Sequence, residues 1–453
     1  MAESITGFRA RVKQQLEQWL PQEQIEHEAR RCGHRWRERK CGPGQTIHLL
    51  LMQLLALNSA LAAVRHLAGM KLTAGALCQA RTRLPLRLLR GCCGLVSQRV
   101  AQATRKFDWC GREVLGADAV HYYTPDAEPL RRWLGSKNQH GFPLVKVLSL
   151  FSLSSGVLLQ QIPLPHRRGE APLLGRLLLA GFVTPAAAPR RRAVLLMDRA
   201  FASFVNLHAV MQRGADAVIR IKSNLLARPR GMLRREVVAR LGKNDHLVRW
   251  RRPHHRCSLL SLLRWKALPR ELTLRQVSFT VKRRGYRSRS ISVITTLLDP
   301  KLYPASKLAE LYQRRWEIET QFRHLKQTLN WEFLRCKSVP GVKKELLLRQ
   351  IGYNLLRGII ARDARAQATT IARISFIDAV RWLLYCPMEP ELETTLPMPM
   401  PMPLPLPMPL PLPLLLLQVP HRPGRYEPRR LKRQDKNYLP LNCTRQEARK
   451  KAA

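Results

Sequence analysis

The chain has 453 residues, which is long enough to build two or three domains with hydrophobic cores. Its 79 Lys and Arg residues against 31 Asp and Glu residues give a formal net charge of +48 at pH 7. Such a surplus predicts a polyanionic partner, and nucleic acid is the usual one. Because the charge is spread along the whole chain, an anionic membrane surface is disfavoured as that partner.

The cysteine pattern and the apolar runs bear on the cellular compartment. The ten cysteines form no regular framework, so we expect reduced thiols in a cytoplasm. The stretch CGHRWRERKC offers Cys32, His34 and Cys41 as zinc ligands, but a fourth ligand at finger spacing is missing. The longest apolar run, residues 47–69, includes amide, arginine and histidine side chains, which predicts a buried helix rather than a membrane span. No targeting segment is predicted.

Residues 1–105 predict a helical DNA-binding domain. Within them, SALAAVRHLAGMKLTAGALCQARTRLP has the pattern of a helix, a short glycine-containing turn and a second helix with Thr73 as its N-cap. The second helix carries side chains suited to reading DNA bases, namely Gln79, Arg81 and Arg83. A helical hairpin with a purely structural role explains the same pattern.

Residues 106–222 predict the first part of an α/β core. Five short apolar or β-branched runs indicate strands: REVLGADAV, PLVKVLSLFSL, GVLLQQIPL, RRAVLLMD and DAVIRIK. Between them, APLLGRLLLAGF and ASFVNLHAVMQRG indicate helices. Three strands followed by alternating helices and strands favour one mixed sheet flanked by helices.

The remaining residues divide by composition. Residues 223–298, with 19 Lys or Arg against three acids, predict a basic β insertion containing the strands HLVRWRR, TLRQVSFTV and SISVITTLL. Residues 299–386 predict the second part of the core, where Pro304 and a capping Ser306 begin a helix. Residues 387–420 form a proline-rich linker, and residues 421–453 a basic tail.

The helix LYQRRWEIETQFRHLK carries four polar side chains on one side. On a continuous α-helix, Tyr312, Arg315, Glu319 and Lys326 fall within a stripe about 60° wide. A solvated charged face is the ordinary explanation of such a stripe. The alternative is the edge of an active site, and two further acids support it.

Those acids are Asp118, which ends the first predicted strand, and Asp198, which ends the fourth. If these strands are neighbours, the two carboxylates meet at one sheet edge, where the helix can add Glu319. Three converging carboxylates raise one another's pKa unless a cation neutralises them. Two Mg²⁺ or Mn²⁺ ions, which prefer oxygen ligands, fit this need. Together with the net charge, the acids predict phosphoryl transfer on DNA or RNA.

These residues resemble a known family, the DDE transposases of bacterial insertion sequences that carry a Tyr-Arg-Glu-Lys signature on a ribonuclease-H-like core. The signature matches at Tyr312, Arg315, Glu319 and Lys326. DRAF, starting at Asp198, is similar to the family's second-acid motif, and DAVHYYTPD, starting at Asp118, to its first. The resemblance covers nearly the whole chain except the proline-rich linker.

The resemblance implies a role for each matching residue. It implies that Asp118, Asp198 and Glu319 are the catalytic acids and the ligands of two Mg²⁺ or Mn²⁺ ions. The resemblance also implies that Tyr312, Arg315 and Lys326 bind phosphates of the transposon-end DNA. It further implies cut-and-paste transposition by a homodimer that synapses two double-stranded transposon ends. A tryptophan of the insertion is expected to stack on a flipped base, and Trp250 and Trp265 are the candidates, unless both only pack the insertion.

Two departures from the family pattern leave alternatives open. Ala119 and Ala200 stand where family members usually have glycine. An inactive DNA-binding relic or repressor, or a nuclease of the same fold that never joins strands, therefore competes with an active transposase. Asp126 competes with Asp118 as the first acid, but it follows Pro125 in a predicted loop.

Overall fold

A computed structural model describes residues 2–37, 41–135, 142–166, 193–226, 235–255, 260–283, 286–386 and 417–419, with isolated residues at 169, 174, 447 and 450. The predicted helix APLLGRLLLAGF lies outside the described residues apart from Leu174. So do the proline-rich linker and the basic tail, apart from residues 417–419, 447 and 450.

The described chain forms two compact units, one helical and one built on a sheet. The helical unit contains the described residues of 1–104 and 324–453, and the sheet unit those of 105–137 and 142–323. The helices are α1 Ala2–Trp19, α2 Gln22–Arg31, α3 Pro43–Leu55, α4 Val64–Ala68, α5 Ala74–Arg83, α6 Leu86–Thr104, α7 Glu128–Leu134, α8 Phe204–Gln212, α9 Leu262–Lys266, α10 Ala305–Gln313, α11 Trp316–Arg323, α12 Val339–Ala366 and α13 Phe376–Tyr385. The strands are β1 Val114–Tyr123, β2 Leu144–Ser152, β3 Leu158–Pro165, β4 Val194–Met197, β5 Asp216–Arg220, β6 Arg235–Gly242, β7 Asp245–Arg251, β8 Glu271–Arg283 and β9 Tyr286–Thr295.

One nine-stranded mixed sheet organises the second unit. Its strand order is β3-β2-β1-β4-β5-β9-β8-β7-β6. β1 pairs antiparallel with β2, and β2 with β3, whereas β1 pairs parallel with β4, and β4 with β5. The first and fourth strands are therefore neighbours, as predicted, and the mixed α/β sheet predicted from the sequence is confirmed.

The basic insertion continues this sheet instead of forming a separate layer. The three predicted strands correspond to β7, β8 and β9, and β9 pairs antiparallel with β5. The sequence prediction missed β6 and the short helix α9. Charged side chains at Arg235, Glu236 and Arg240 interrupt the apolar pattern of β6, and none of its residues is fully buried, so its strand pattern is weak. Strands that pair with the core edge remove a free edge from it.

A buried arginine connects the insertion to the segment that leads into α10. Arg275, on β8, is fully buried, and its Nε donates to Asp245 Oδ1 at 2.7 Å. Its Nη1 donates to the backbone carbonyl of Tyr303 at 2.7 Å. The Tyr303 hydroxyl in turn accepts from Arg112, which also pairs with Asp216 at the start of β5. These contacts fix the chain just before α10, so the insertion helps to place that helix.

The helical unit is built around α12. This helix packs on α3 and α6, and α13 packs on α1. Gln350 and Asn354 of α12 donate to the Ser97 hydroxyl at 3.1 and 3.0 Å, which satisfies buried polar groups between α12 and α6. The structure thus places α12 with the amino-terminal helices, whereas the predicted boundaries placed it within the second part of the core. Burial of its apolar residues against α3 and α6 accounts for this grouping.

The predicted helix–turn–helix pattern is present in this unit. Thr73 accepts a hydrogen bond from the Ala76 backbone N–H at 3.1 Å and caps α5, as predicted. Gly69 ends the short helix α4 with a left-handed φ of +64°. Within the described part of the chain, no helix has both the length and the apolar character needed to cross a membrane.

Candidate active site

A row of polar side chains crosses one face of the sheet at a single level. The pairing places Gln161 beside Ser149 and Ser149 beside Asp118. On the parallel strands, Ala117 pairs with Met197, and Met197 pairs with Ile219. The residues that follow these three are Asp118, Asp198 and Arg220, which are therefore level with one another. Residues level with each other on paired strands point to the same face. We call Gln161, Ser149, Asp118, Asp198 and Arg220 the polar row.

The two aspartates lie at the strand positions that the sequence predicted. Asp118 is on β1, and Asp198 directly follows β4. Neighbouring strands are about 4.8 Å apart, so their level positions bring the two carboxylates to one place. Asp126, the alternative first acid, follows the end of β1 and forms an ion pair with Arg131 of α7. It is thereby engaged outside the polar row.

A glycine lets α11 dock on the same face. Gly116 lies two residues before Asp118, and a Cβ built on it would meet Ile318 Cδ1 at 2.6 Å and Leu153 Cδ2 at 2.9 Å. Ile318 therefore occupies the space that any side chain at position 116 would need. Since Glu319 follows Ile318 directly, this close packing sets how near Glu319 can come to β1.

The helix that carries the signature is broken, which corrects the prediction of one continuous helix. α10 ends at Gln313, α11 begins at Trp316, and the chain continues into a π-helical turn at residues His324–Thr328. α10 begins after Pro304 with no side-chain cap, so the predicted capping role of Ser306 is also wrong. Because the breaks change the angle between residues, the single 60° stripe does not exist in this form.

The four signature residues lie on different segments and in both units of the chain. Tyr312, Arg315 and Glu319 belong to the sheet unit. Lys326 lies on the π-helical turn, in the helical unit, where its ammonium pairs with Glu332 at 2.6 Å. π-helical turns are frequent at functional sites. A DNA contact of Lys326 stays a prediction.

Arg315 links two of the three predicted acids. Its Nη1 lies 3.4 Å from Asp118 Oδ2, and its Nη2 lies 3.3 Å from Glu319 Oε1. Burial acts to lower the pKa of Arg315, but the charges of Tyr312, Asp118, Asp198 and Glu319 outweigh it and the pKa is raised. The guanidinium is thus a fixed positive charge among the three carboxylates.

Tyr312 is buried beside this cluster without a hydrogen-bond partner. It is 6% exposed, and its hydroxyl has no partner in the structure. Burial raises the pKa of the phenol most, and Arg315, Asp198, Arg220 and Asp118 contribute smaller electrostatic effects. The phenol therefore stays protonated at neutral pH and can donate a hydrogen bond to an incoming acceptor.

The residues suit a divalent metal ion by their chemistry. Carboxylate oxygens are the ligands that Mg²⁺ and Mn²⁺ prefer. Among the described residues, no three His, Cys, Asp or Glu side chains are close enough to form a ready metal centre. Arg315 already supplies positive charge to Asp118 and Glu319. Because each contact uses one carboxylate oxygen, the other oxygen of Asp118 and of Glu319 is the one that would hold a metal ion.

Both tryptophans proposed for base stacking are buried. Trp250 is 4% exposed and Trp265 is 7% exposed, and both belong to a hydrophobic core on the sheet. Neither presents a ring to a nucleotide in this conformation, so packing is the role that the structure supports. Trp316, next to Arg315, is 47% exposed and is the exposed tryptophan nearest to the signature in sequence.

Sequence reasoning missed Gly116, Ser149 and Arg220. Their positions follow from strand pairing, which a single strand's pattern does not show. One signal was present: each interrupts an otherwise apolar strand sequence. The two alanines that replace family glycines cause no backbone strain, because neither Ala119 nor Ala200 is among the described residues with positive φ.

Comparison with known proteins identifies the family of this chain. The model of the transposase DDE domain matches residues 107–355, which include all three acids and the whole signature. The chain belongs to this transposase family.

Two curated relatives come from Escherichia coli strain K12. The transposase InsG for insertion sequence element IS4 is 28% identical over 288 residues, which are 62% of this chain and 60% of the relative. The chain thus spans about three fifths of that relative's length. The putative transposase InsZ is 28% identical over 211 residues, which are 44% of this chain and 67% of the relative.

A solved structure, a piggyBac transposase synaptic complex with hairpin DNA, aligns with a TM-score of 0.40 and 10% identity. The alignment covers 85% of this chain and 80% of that chain. A likeness at this level supports no conclusion about the function of the chain.

Proposed function

We propose that this protein is the transposase of an insertion sequence, which cleaves DNA at the ends of its element and joins those ends to new DNA. The observation that supports the proposal is the parallel pairing of β1 with β4, which puts Asp118 and Asp198 at level positions on neighbouring strands, together with the packing of Ile318, next to Glu319, against Gly116 of β1. Membership of the transposase DDE domain family supports it.

The carboxylates of Asp118, Asp198 and Glu319 are proposed to hold divalent metal, either Mg²⁺ or Mn²⁺. The family resemblance favours two ions. When bound, such ions activate the attacking oxygen and stabilise the leaving oxygen of the phosphodiester. The chain's own contribution is to hold the three carboxylates on rigid elements, two on strands and one on a helix packed against them.

Arg315 is proposed to exchange its carboxylate partners for a DNA phosphate when metal binds. Its guanidinium can form two parallel hydrogen bonds with phosphate oxygens. The buried Tyr312 hydroxyl can donate a further hydrogen bond, which removes the cost of an unsatisfied buried group. Lys326 is proposed to contact the transposon-end DNA as in the family signature.

The remaining parts of the chain fit a DNA partner. α5, with exposed Gln79 and Arg83, is proposed to contribute to recognition of the terminal inverted repeats. The net charge of +48 supports wide contact with phosphates. Since two ends must be brought together, we propose a homodimer on DNA, acting in the bacterial cytoplasm where the DNA lies.

A strand-transfer assay tests the proposal. The purified protein is incubated with a linear DNA carrying both ends of its own element and with a plasmid target, in Mg²⁺ or in EDTA. We expect Mg²⁺-dependent cleavage at the element boundary and joined donor–target products.

Cleaved donor DNA that is never joined would instead identify a nuclease of the same fold. Binding of the ends with no metal-dependent product would identify an inactive DNA-binding relic or repressor. Either result contradicts the transposase proposal.

A further inference from the structure

The second helix of the helix–turn–helix pattern, α5, is short and buries few apolar side chains. It has 10 residues, of which Leu77 and Ala80 are the buried ones. A helix of this length is not stable in water by itself, so contacts with the rest of the helical unit hold it. It packs on α3, and Thr73 satisfies one backbone N–H at its amino end. The orientation of its exposed residues Gln79 and Arg83 therefore depends on what fixes its carboxyl end.

A lysine of α12 caps the carboxyl end of α5. The Lys344 ammonium donates to the backbone carbonyl of Thr82 at 2.7 Å and to that of Arg81 at 3.1 Å. The last carbonyls of a helix have no partner within the helix, and the helix dipole makes that end negative. The residue that follows α5 is Leu84, not a glycine, so the ammonium supplies the hydrogen bonds that a glycine cap would otherwise arrange.

Burial makes this cap specific in position. Lys344 is 5% exposed, and the hydrogen bonds of its ammonium within the described chain go to the two carbonyls of α5. Burial lowers the pKa of the ammonium, with a smaller effect of Arg81, so holding a charge here costs free energy. The two carbonyls offset that cost only when α5 lies at one position relative to α12. The contact therefore favours one arrangement of the two helices.

The residue next to Lys344 fixes this part of α12. The Glu345 carboxylate is buried and accepts hydrogen bonds from the backbone N–H groups of Arg335 and Cys336 at 3.0 and 3.1 Å. It also pairs with Arg349, one turn further along α12, at 2.7 Å. These contacts hold α12 on the chain that follows the π-helical turn, so Lys344 extends from a rigid support.

We propose that Lys344 is a positioning residue for recognition of the terminal inverted repeats, because its cap holds α5 in the orientation in which Gln79 and Arg83 meet base edges. Sequence is read by directional hydrogen bonds to base edges, whereas phosphate contacts carry no sequence information. A shift of α5 therefore costs discrimination between sequences rather than binding to DNA in general. Because Lys344 is buried, it acts through α5 and does not touch DNA. The inference rests on the proposed reading of DNA by α5.

The test compares specific with non-specific DNA binding in EDTA. Fluorescence anisotropy measures the affinity of the full chain for a labelled duplex from the element's end and for a random-sequence duplex of the same length, at several NaCl concentrations. The variants are Lys344→Met, which removes the donors, and Lys344→Arg, which keeps them. Glu345→Gln is the matched control, because the described hydrogen bonds of Glu345 go to Arg335, Cys336 and Arg349 and not to α5.

We expect Lys344→Met to lower the ratio of the two affinities about tenfold, which is the size of losing one base contact. The salt slopes should stay unchanged, because no phosphate contact is lost. Lys344→Arg should keep most of the ratio, since a guanidinium can donate to both carbonyls. Glu345→Gln should lower the free energy of unfolding and keep the ratio. A ratio that is unchanged in Lys344→Met, or that falls equally in Glu345→Gln, would overturn the inference.

A milder variant covers the case in which Lys344→Met folds poorly. The amide of Lys344→Gln is shorter and keeps a donating group, so we expect a smaller loss in the ratio, about threefold. Hydrogen exchange of the backbone amides of α5 should be faster in this variant than in the wild-type protein, whereas α6, which also packs on α12, should keep its protection. Equal protection of α5 in both proteins, or an unchanged ratio, contradicts the positioning role.

The inference and the proposed function can fail separately. If the wild-type protein prefers the element's end and Lys344→Met does so less, but no DNA is cleaved in Mg²⁺, the positioning role stands and the transposase activity falls. If the wild-type protein cleaves the element's end and Lys344→Met keeps the ratio, the activity stands and the positioning role falls. If the wild-type protein binds both duplexes equally, reading by α5 falls, and the role of Lys344 falls with it.

Discussion

Arg315 supplies a positive charge to two of the proposed catalytic acids. It contacts Asp118 and Glu319 at 3.4 and 3.3 Å, at a position where three carboxylates would otherwise repel one another. The same side chain is the signature arginine assigned to DNA. The Arg315 guanidinium can therefore neutralise carboxylates in the metal-free protein and, in the proposed DNA complex, a phosphate.

This predicts a metal-dependent effect of Arg315→Gln on stability. In EDTA the change leaves Asp118 and Glu319 without their shared cation, and we expect the free energy of unfolding to fall by about 1–2 kcal/mol. Millimolar Mg²⁺ should restore most of that loss in the variant, because the ion replaces the missing charge. Urea unfolding with and without Mg²⁺ measures both values. If Mg²⁺ does not change the loss of unfolding free energy in Arg315→Gln, the role of Arg315 as the cation of these acids is contradicted.

Tyr312→Phe separates stability from DNA binding. Removing a buried hydroxyl that lacks a partner should raise the free energy of unfolding by about 1 kcal/mol. The same change should weaken binding of the element's end, because the DNA phosphate loses a donor. Denaturant unfolding and anisotropy measure the two effects on one preparation. If Tyr312→Phe destabilises the free protein, its hydroxyl has a structural partner and its proposed role as a phosphate donor is wrong.

At the level of elements, the packing of α11 on β1 determines where the third acid lies. Gly116 allows Ile318 to approach the strand, and Glu319 is the next residue on the helix. The breaks between α10, α11 and the π-helical turn let each segment pack separately. A continuous helix would not give the same positions to Tyr312 and Glu319.

Gly116→Ala tests this packing. Its methyl group would lie 2.6 Å from Ile318 Cδ1, so α11 must shift. We expect a loss of about 1–3 kcal/mol in the free energy of unfolding, as for overpacked cores, and a large loss of DNA cleavage. Ile318→Val in the same protein should recover part of both, because it removes the closest atom.

Gly94→Ala in α6 is the matched control for that substitution. A Cβ at Gly94 meets nothing within 4 Å, and alanine is the better helix former. Gly94→Ala should therefore keep or raise stability and leave cleavage unchanged. If Gly116→Ala behaves like Gly94→Ala, the glycine does not set the position of α11.

At the scale of the whole molecule, the net charge and the sheet topology support different conclusions. The net charge of +48 predicts the class of partner, whereas strand pairing places the proposed catalytic acids Asp118 and Asp198 at level positions. Both units contain exposed arginines, so DNA contact is expected along much of the chain.

The charge predicts steep salt dependence of DNA binding. If six to ten phosphates are contacted, raising the salt from 50 to 200 mM should lower the affinity about 10³–10⁵-fold. A random-sequence duplex of the same length should show a comparable slope with weaker binding, because phosphate contacts carry no sequence information. Anisotropy titrations measure both duplexes. Binding that does not change with salt would contradict a role for the charge in DNA contact.

The sequence was enough to predict the strands of the core and the positions of both aspartates at strand ends, because these depend on local hydrophobic patterns and on residue identity. It predicted the signature segment as one helix, whereas the structure divides it into α10, α11 and a π-helical turn. It was not enough to predict the polar row, since Arg220 and Asp198 become neighbours only through the pairing of β4 with β5. The helix breaks and the grouping of α12 with the amino-terminal helices also depend on long-range packing. The burial of Trp250 and Trp265 likewise follows from contacts across the sheet.

The most direct test of the central claim compares two glutamates on one helix. The wild-type protein, Glu319→Gln and Glu317→Gln are incubated with DNA carrying the element's ends, in Mg²⁺ and in EDTA. Glu317 is two residues from Glu319 and pairs with Arg314 at 3.1 Å, away from the predicted catalytic set. We predict Mg²⁺-dependent cleavage at the element boundary by the wild-type protein and by Glu317→Gln, and none by Glu319→Gln. Equal cleavage by both variants would contradict the assignment of Glu319 as the third catalytic acid.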